Sequence, residues 1–199
     1  VRCSEEGIVK PEDVEKEIRK NTRLIAINHG SNVTGSLLPL REIGIIARDA
    51  GLLLLVDAAQ TAGCFPIDMR KDRVDLLAFT GHKSLLGPQG TGGLIIGDRV
   101  DIKMFKPLKT GGTGSRSEQE NQPDFLPDKY ESGTPNTVGA AGLLAGVQFI
   151  RKTGVAGIRT HEMNLAAILI EGFSRIKGIR VYGPEAMEDR IAIVSINIE

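Results

Sequence analysis

Apolar residues along this chain follow two rhythms. Short unbroken runs, RLIAINH (23–29), LLLLVD (52–57), VDLLAF (74–79) and GLIIG (93–97), have the length and continuity of strands buried on both faces. Between and after them apolar positions recur every three or four residues. PEDVEKEIRKN (11–21) predicts a helix with Pro11 in its first turn and Val14 and Ile18 on one face. PLREIGIIARDAG (39–51) predicts a second helix, closed by Gly51. Two more follow, at 136–152 (Val138, Leu143, Leu144, Val147, Ile150) and 155–176. IRVYG (179–183) and IAIVSINI (191–198) return to strand character. The second alternates, which suits an antiparallel sheet in a smaller domain.

Strands alternating with helices predict an α/β fold with a mostly parallel sheet covered by helices on both faces. LLLLVD, apolar until its final acid, is the expected central strand. The segment 110–136 breaks the pattern: it has no apolar period and is rich in Gly, Ser and Pro. A loop of that length inside a compact domain is usually functional or mobile. The expected division is a major domain over 1–153 and the start of a smaller α+β domain over 154–199.

Composition narrows the partners. The chain has 199 residues, 41% of them hydrophobic, enough for a real core. Its 25 basic and 25 acidic residues leave no net charge, which argues against nucleic acid or an anionic membrane surface as a partner. No apolar run approaches the length of a membrane span. The cysteines, Cys3 and Cys64, have no C-x-x-C spacing, imply no disulfide framework or zinc site, and fit a reducing, cytoplasmic setting. Both read as small buried hydrophobes, Cys64 on a short helix following the DAAQ segment. The chain opens at Val1 and stops inside a strand-like run, so it is expected to be a piece of a longer protein.

In open parallel sheets ligands bind beyond the carboxyl ends of the strands. Three predicted strands deliver polar groups there: Asn28-His29-Gly30-Ser31-Asn32, then Asp57 with Gln60 three residues on, then Thr80-Gly81-His82-Lys83. The glycines around Lys83-Ser84 do not make a phosphate loop of the G-x-x-x-x-G-K-[ST] kind, and GPQGTGG leads into a strand instead of a helix. His29, His82 and His161 lie far apart without ligand spacing, and there is no G-x-S-x-G elbow. A lysine in this setting suits covalent catalysis through a Schiff base. An acid at the end of the neighbouring strand suits the nitrogen of a pyridine ring, keeping it protonated so that the ring serves as an electron sink. That pairing points to pyridoxal phosphate (PLP). Thr80 and His82 would then donate to its phosphate and Gln60 to its phenolate oxygen.

The motifs NHGSNVTG, VDAAQTAG, DLLAFTGHKSLLGPQGTGGLIIG and YESGTPN, in this order, resemble the cysteine desulfurase and selenocysteine lyase branch of the class V aminotransferases, which are fold-type I PLP enzymes. The resemblance runs through almost the whole chain and implies the three-layer major domain of such transferases. It implies that Lys83 binds the cofactor, with His82 beside it as a second catalytic candidate. It implies that Asp57 partners the ring nitrogen, that Gln60 reaches the phenolate oxygen, and that Asn32 lies near cofactor and substrate. Thr134, in SGTPN, matches a threonine that family dimers lend to the neighbouring subunit's phosphate, so a homodimer is implied. So are a cysteine-like substrate and a sulfur-acceptor protein. In the family a phosphate loop and a stacking ring come from the portion preceding this one. The sulfur-accepting Cys and the Arg that grips the substrate carboxylate come from the portion after it. The resemblance leaves open transamination or a kynureninase-like cleavage, and the isolated chain would be a non-catalytic scaffold if it bound no cofactor. His29 could face the cofactor or be bonded to nearby backbone, and Arg116 reads as an exposed, mobile cation.

Overall fold

The computed structural model of the chain describes residues 1–112, 115–116 and 118–199. Its main sheet holds β1 (Leu24–Asn28), β2 (Leu53–Asp57), β3 (Leu76–Thr80) and β4 (Gly92–Ile96) in the order β1-β2-β3-β4. β1, β2 and β3 run parallel, and β4 runs antiparallel to β3. The helices are α1 (Pro11–Lys16), α2 (Leu40–Asp49), α3 (Thr137–Thr153) and α4 (Val155–Ser174). A second, two-stranded antiparallel sheet pairs β5 (Ile179–Tyr182) with β6 (Ser195–Ile198). The fold is α/β with a mostly parallel sheet, as the alternation of apolar patterns predicts, and the antiparallel pairing of the last two strands is also as expected.

LLLLVD is the central strand. Leu54 and Val56 are completely buried, and they meet Leu40, Ile43 and Ala47 of α2, whose spacing puts them on one helix face. Val14, Ile25, Leu52, Val74 and Leu77 close the same core. Gly51, at φ +69°, turns the chain from α2 into β2, a conformation open to glycine at little cost.

Five expectations are corrected. The helix over 11–21 ends at Lys16; beyond it backbone bonds skip to three-residue spacing, and the Thr22 hydroxyl accepts from the Arg19 N–H at 2.9 Å, which holds an open turn. No helix joins β2 to β3 or β3 to β4. The eleven residues between β3 and β4 are too few for a parallel crossover, so β4 turns back antiparallel. The strand over 191–198 begins only at Ser195, because Arg190 and Ile191 are drawn elsewhere: Ser36 bridges to Arg190, and the Ile191 N–H reaches the Gly35 carbonyl at 2.7 Å. Cys3 is exposed, whereas Cys64 is buried as expected. The segment after β2 that carries Cys64 forms successive turns in place of a helix. Arg116 is exposed, 5.7 Å from the Phe125 ring centre. Among the described residues no helix is long and apolar enough to cross a membrane.

Asp75, buried at the start of β3, ties the sheet together. Its carboxylate accepts the Leu54 N–H of β2 at 2.9 Å and pairs with Arg99 at 3.1 Å. Its backbone carbonyl accepts the Gly97 N–H, just past β4, at 2.7 Å. Removing a buried ion's partner leaves charge and N–H uncompensated. Asp75→Ala should therefore cost about 3 kcal/mol of stability, whereas Asp75→Asn, which keeps an acceptor for Leu54, should cost less. Urea unfolding of the two variants checks the order.

Candidate active site

The parallel register sets which side chains share one rim. Asn28 pairs with Asp57 across β1 and β2, and Asp57 pairs with Ala78 across β2 and β3. Thr80 therefore extends two residues beyond the level of Asp57, about 7 Å along the strand. The Asp57 carbonyl accepts from His29 at 2.9 Å, and the Ala58 N–H donates to the Ala78 carbonyl at 2.8 Å, so the ladder continues past the named strand ends. The turn after β3 is equally closed: Leu86 donates to the Lys83 carbonyl at 2.8 Å and Gly87 to the Gly81 carbonyl at 2.7 Å.

Asp57 is exposed, and one carboxylate oxygen accepts the Ala59 N–H at 2.9 Å. Its other oxygen has no hydrogen-bond partner among the described residues. The half-buried Lys83 ammonium likewise has neither ion pair nor hydrogen bond among them. Thr80 Oγ1 and His82 Nδ1 lie 2.7 Å apart, so hydroxyl and imidazole are already joined at the mouth of the turn. Gln60 is half-buried beside a cavity of about 340 Å³ that Ser84, the neighbour of Lys83, also lines. Asn32 is exposed on the loop between β1 and α2. Thr134 is exposed on the loop entering α3.

This donor set fits a phosphorylated pyridine aldehyde. It offers one amine, one carboxylate with a spare oxygen, one amide and a hydroxyl–imidazole pair, set on two neighbouring strand ends. Among the described residues no group of three His, Cys, Asp or Glu side chains could hold a metal ion.

The cysteine nearest the rim is a poor nucleophile. Cys64 is buried against the Gln60 and Thr61 carbonyls, and burial raises its thiol above the usual range. A thiol held in its protonated form attacks slowly. The adjacent Glu162 carboxyl is also raised by burial. Thr61, fully buried within VDAAQTAG, receives no role from the sequence, yet its hydroxyl lies 3.0 Å from His29 Nδ1 and fixes that ring.

Comparison with known proteins places these residues in a context. The family described as Aminotransferase class-V matches residues 1–199. A protein of Halalkalibacterium halodurans named "Probable cysteine desulfurase" is 38% identical over 199 residues, 98% of this chain and 47% of its own length. A protein of Pyrococcus abyssi with the same name is 36% identical, covering 100% of this chain and 49% of its own. The apo cysteine desulfurase of Thermococcus onnurineus NA1 superposes with a TM-score of 0.88 at 34% identity, over 100% of this chain and 49% of that structure. The chain spans about half the length of the curated relatives it matches.

His29 gives the rim a measurable signature. It is buried edge-on to Phe65, ring centres 5.0 Å apart, and burial lowers its pKa from 6.5 to about 4; Asp72 opposes that effect and Arg159 adds to it. The unfolded chain then binds more protons than the folded one between those values, so stability rises with pH across that window. It is fully present above pH 6.5 and lost towards pH 4, a span worth about 3 kcal/mol. His29→Gln retains a hydrogen-bonding side chain without the titration. Its urea midpoint should fall much less than that of the wild type between pH 7 and pH 5.

Proposed function

The chain belongs to the class-V aminotransferase family, and from that premise we propose that it forms the central part of a PLP-dependent lyase that removes sulfur, or selenium, from cysteine-type amino acids and leaves alanine. The observation that carries this reading is the placement of Asp57 and the Lys83 turn at the carboxyl ends of two hydrogen-bonded strands, β2 and β3. The desulfurase names of the proteins it resembles support the choice of reaction.

In this reading Lys83 would hold the cofactor through its amine and Asp57 would hold the ring nitrogen. Gln60 would donate to the phenolate oxygen, Thr80 and His82 would donate to the phosphate, and Asn32 would lie close to cofactor and substrate. When bound, the protonated pyridine ring supplies an electron sink for charge developing at the substrate α-carbon. Lys83 Nζ, which has no ion pair or hydrogen bond among the described residues, would move a proton at that α-carbon. The Thr80–His82 pair holds the imidazole in place beside the lysine. Cys64 is buried with a raised thiol, and neither it nor the exposed Cys3 matches the sulfur-accepting position of the family, so the accepting thiol would come from the rest of the polypeptide and pass sulfur to a partner protein. A homodimer in the cytoplasm, with Thr134 serving the partner's phosphate site, and a domain division between 153 and 154 complete the proposal.

Absorbance and product analysis on the whole natural polypeptide test it. Wild-type protein with PLP should show a visible band that Lys83→Ala abolishes. The same substitution should cut sulfide release from cysteine by roughly 10²–10⁴-fold or more. Asp57→Asn should retain the band while lowering turnover. Accumulation of keto acid with no sulfide would replace desulfuration with transamination.

A further inference from the structure

The turn that carries Lys83 is pressed from two sides by glycines of other elements. Gly63, in the turns after β2, has φ +103°, and a Cβ on it would stand 2.4 Å from the Ser84 carbonyl oxygen. Gly146, buried in α3, would bring a Cβ to 2.3 Å from the Leu85 carbonyl oxygen. Contacts that short do not occur, so in each case backbone would have to move. The peptide groups directly after Lys83 thus lie in slots lined by glycine hydrogens. Leu143, one turn earlier in α3, completes the wall: its Cδ1 lies 3.2 Å and 2.8 Å from the Cβ positions of Gly81 and Gly87, the residues whose hydrogen bond closes the turn. Glycine inside a helix costs about 1 kcal/mol relative to alanine. In α3 that cost falls where the helix meets the lysine turn.

The two slots join different parts of the rim. Gly63 belongs to the same turns as Gln60, and α3 is anchored at its start by Asn136, whose side chain accepts the Gly139 N–H at 2.9 Å. A shift of either support moves the backbone beneath Lys83 while leaving Asp57 on its own strand. We propose that Gly63 and Gly146 are positioning residues for Lys83, clamping its turn between the Gln60 turns and α3 so that the amine keeps a fixed attitude to the Asp57 rim. This rests on the reading of Lys83 as the cofactor-binding lysine.

The test compares Gly146→Ala and Leu143→Ala with two α4 controls, Gly157→Ala and Gly172→Ala, whose added Cβ would meet nothing within 4 Å. Leu143→Ala loosens the wall without inserting an atom, so it remains informative should Gly146→Ala fail to fold. The readouts are the pH midpoint of the visible band with PLP, amide hydrogen exchange over 84–87 in cofactor-free protein, and the separate kcat and KM for cysteine. Gly146→Ala should shift the midpoint, speed exchange over 84–87 and lower kcat by up to about 10²-fold with KM little changed. Leu143→Ala should do the same to a smaller extent, and both controls should match wild type. Variants that match the controls in band and exchange, or that lose only thermal stability, overturn the clamp. A wild-type protein without a Lys83-dependent band overturns the cofactor reading and this inference together; a normal band with unaltered variants overturns this inference alone.

Discussion

The arrangement of the rim depends on register, and register depends on a buried charge at the far end of the strands. Asp75 contacts β2 through the Leu54 N–H, the residues after β4 through Arg99 and the Gly97 N–H, and it opens β3 itself. A carboxylate taken out of water is tolerable only with such partners. The carboxylate's partners, the Leu54 N–H on β2 and Arg99 after β4, lie on two other stretches of chain, so satisfying the charge also aligns the strands. A slip of one residue would turn every side chain of β2 to the opposite face. Asp57 would then leave the rim and Val56 would leave the core.

The core and the rim are two consequences of one ladder. Leu54 and Val56 fill the space beneath α2, and the same strand, continued by one residue, delivers Asp57 beyond the sheet's edge. Hydrophobic burial therefore stabilises the position of a polar group it never touches. The lysine turn is held differently. Its shape comes from backbone hydrogen bonds and from close approach to Gly63 and Gly146. Rigid strand ends and a tightly fitted turn together hold the polar groups of the rim in a fixed arrangement, the kind of preorganisation on which the proposed chemistry would draw.

His29 shows how the rim is bounded. Its ring is enclosed by Phe65 and bonded to Thr61, and it stays neutral at physiological pH. Its side-chain partner is a hydroxyl, where the sequence suggests nearby backbone. Cys64, four residues beyond Gln60, is enclosed in the same way.

Much was legible in the sequence because it is written in local patterns. Continuous apolar runs marked β1 to β4, three- and four-residue spacing marked α2, α3 and α4, and the order of D-x-x-Q and T-G-H-K marked the candidate site. These features survive in any single stretch of chain, since burial on both faces and a helix's apolar stripe impose their period residue by residue. Other features needed the fold. The antiparallel turn of β4 followed from a connection too short to cross over, and the late start of β6 from the capture of Arg190 and Ile191 by residues 35–37. The roles of Asp75, Thr61, Gly63 and Gly146 have no local signature, because each is defined by a partner distant in sequence: a buried carboxylate, a hydroxyl or a missing Cβ means nothing until another segment is folded against it. The chain by itself determined which groups reach the strand ends; only tertiary contact decided how firmly each is held there.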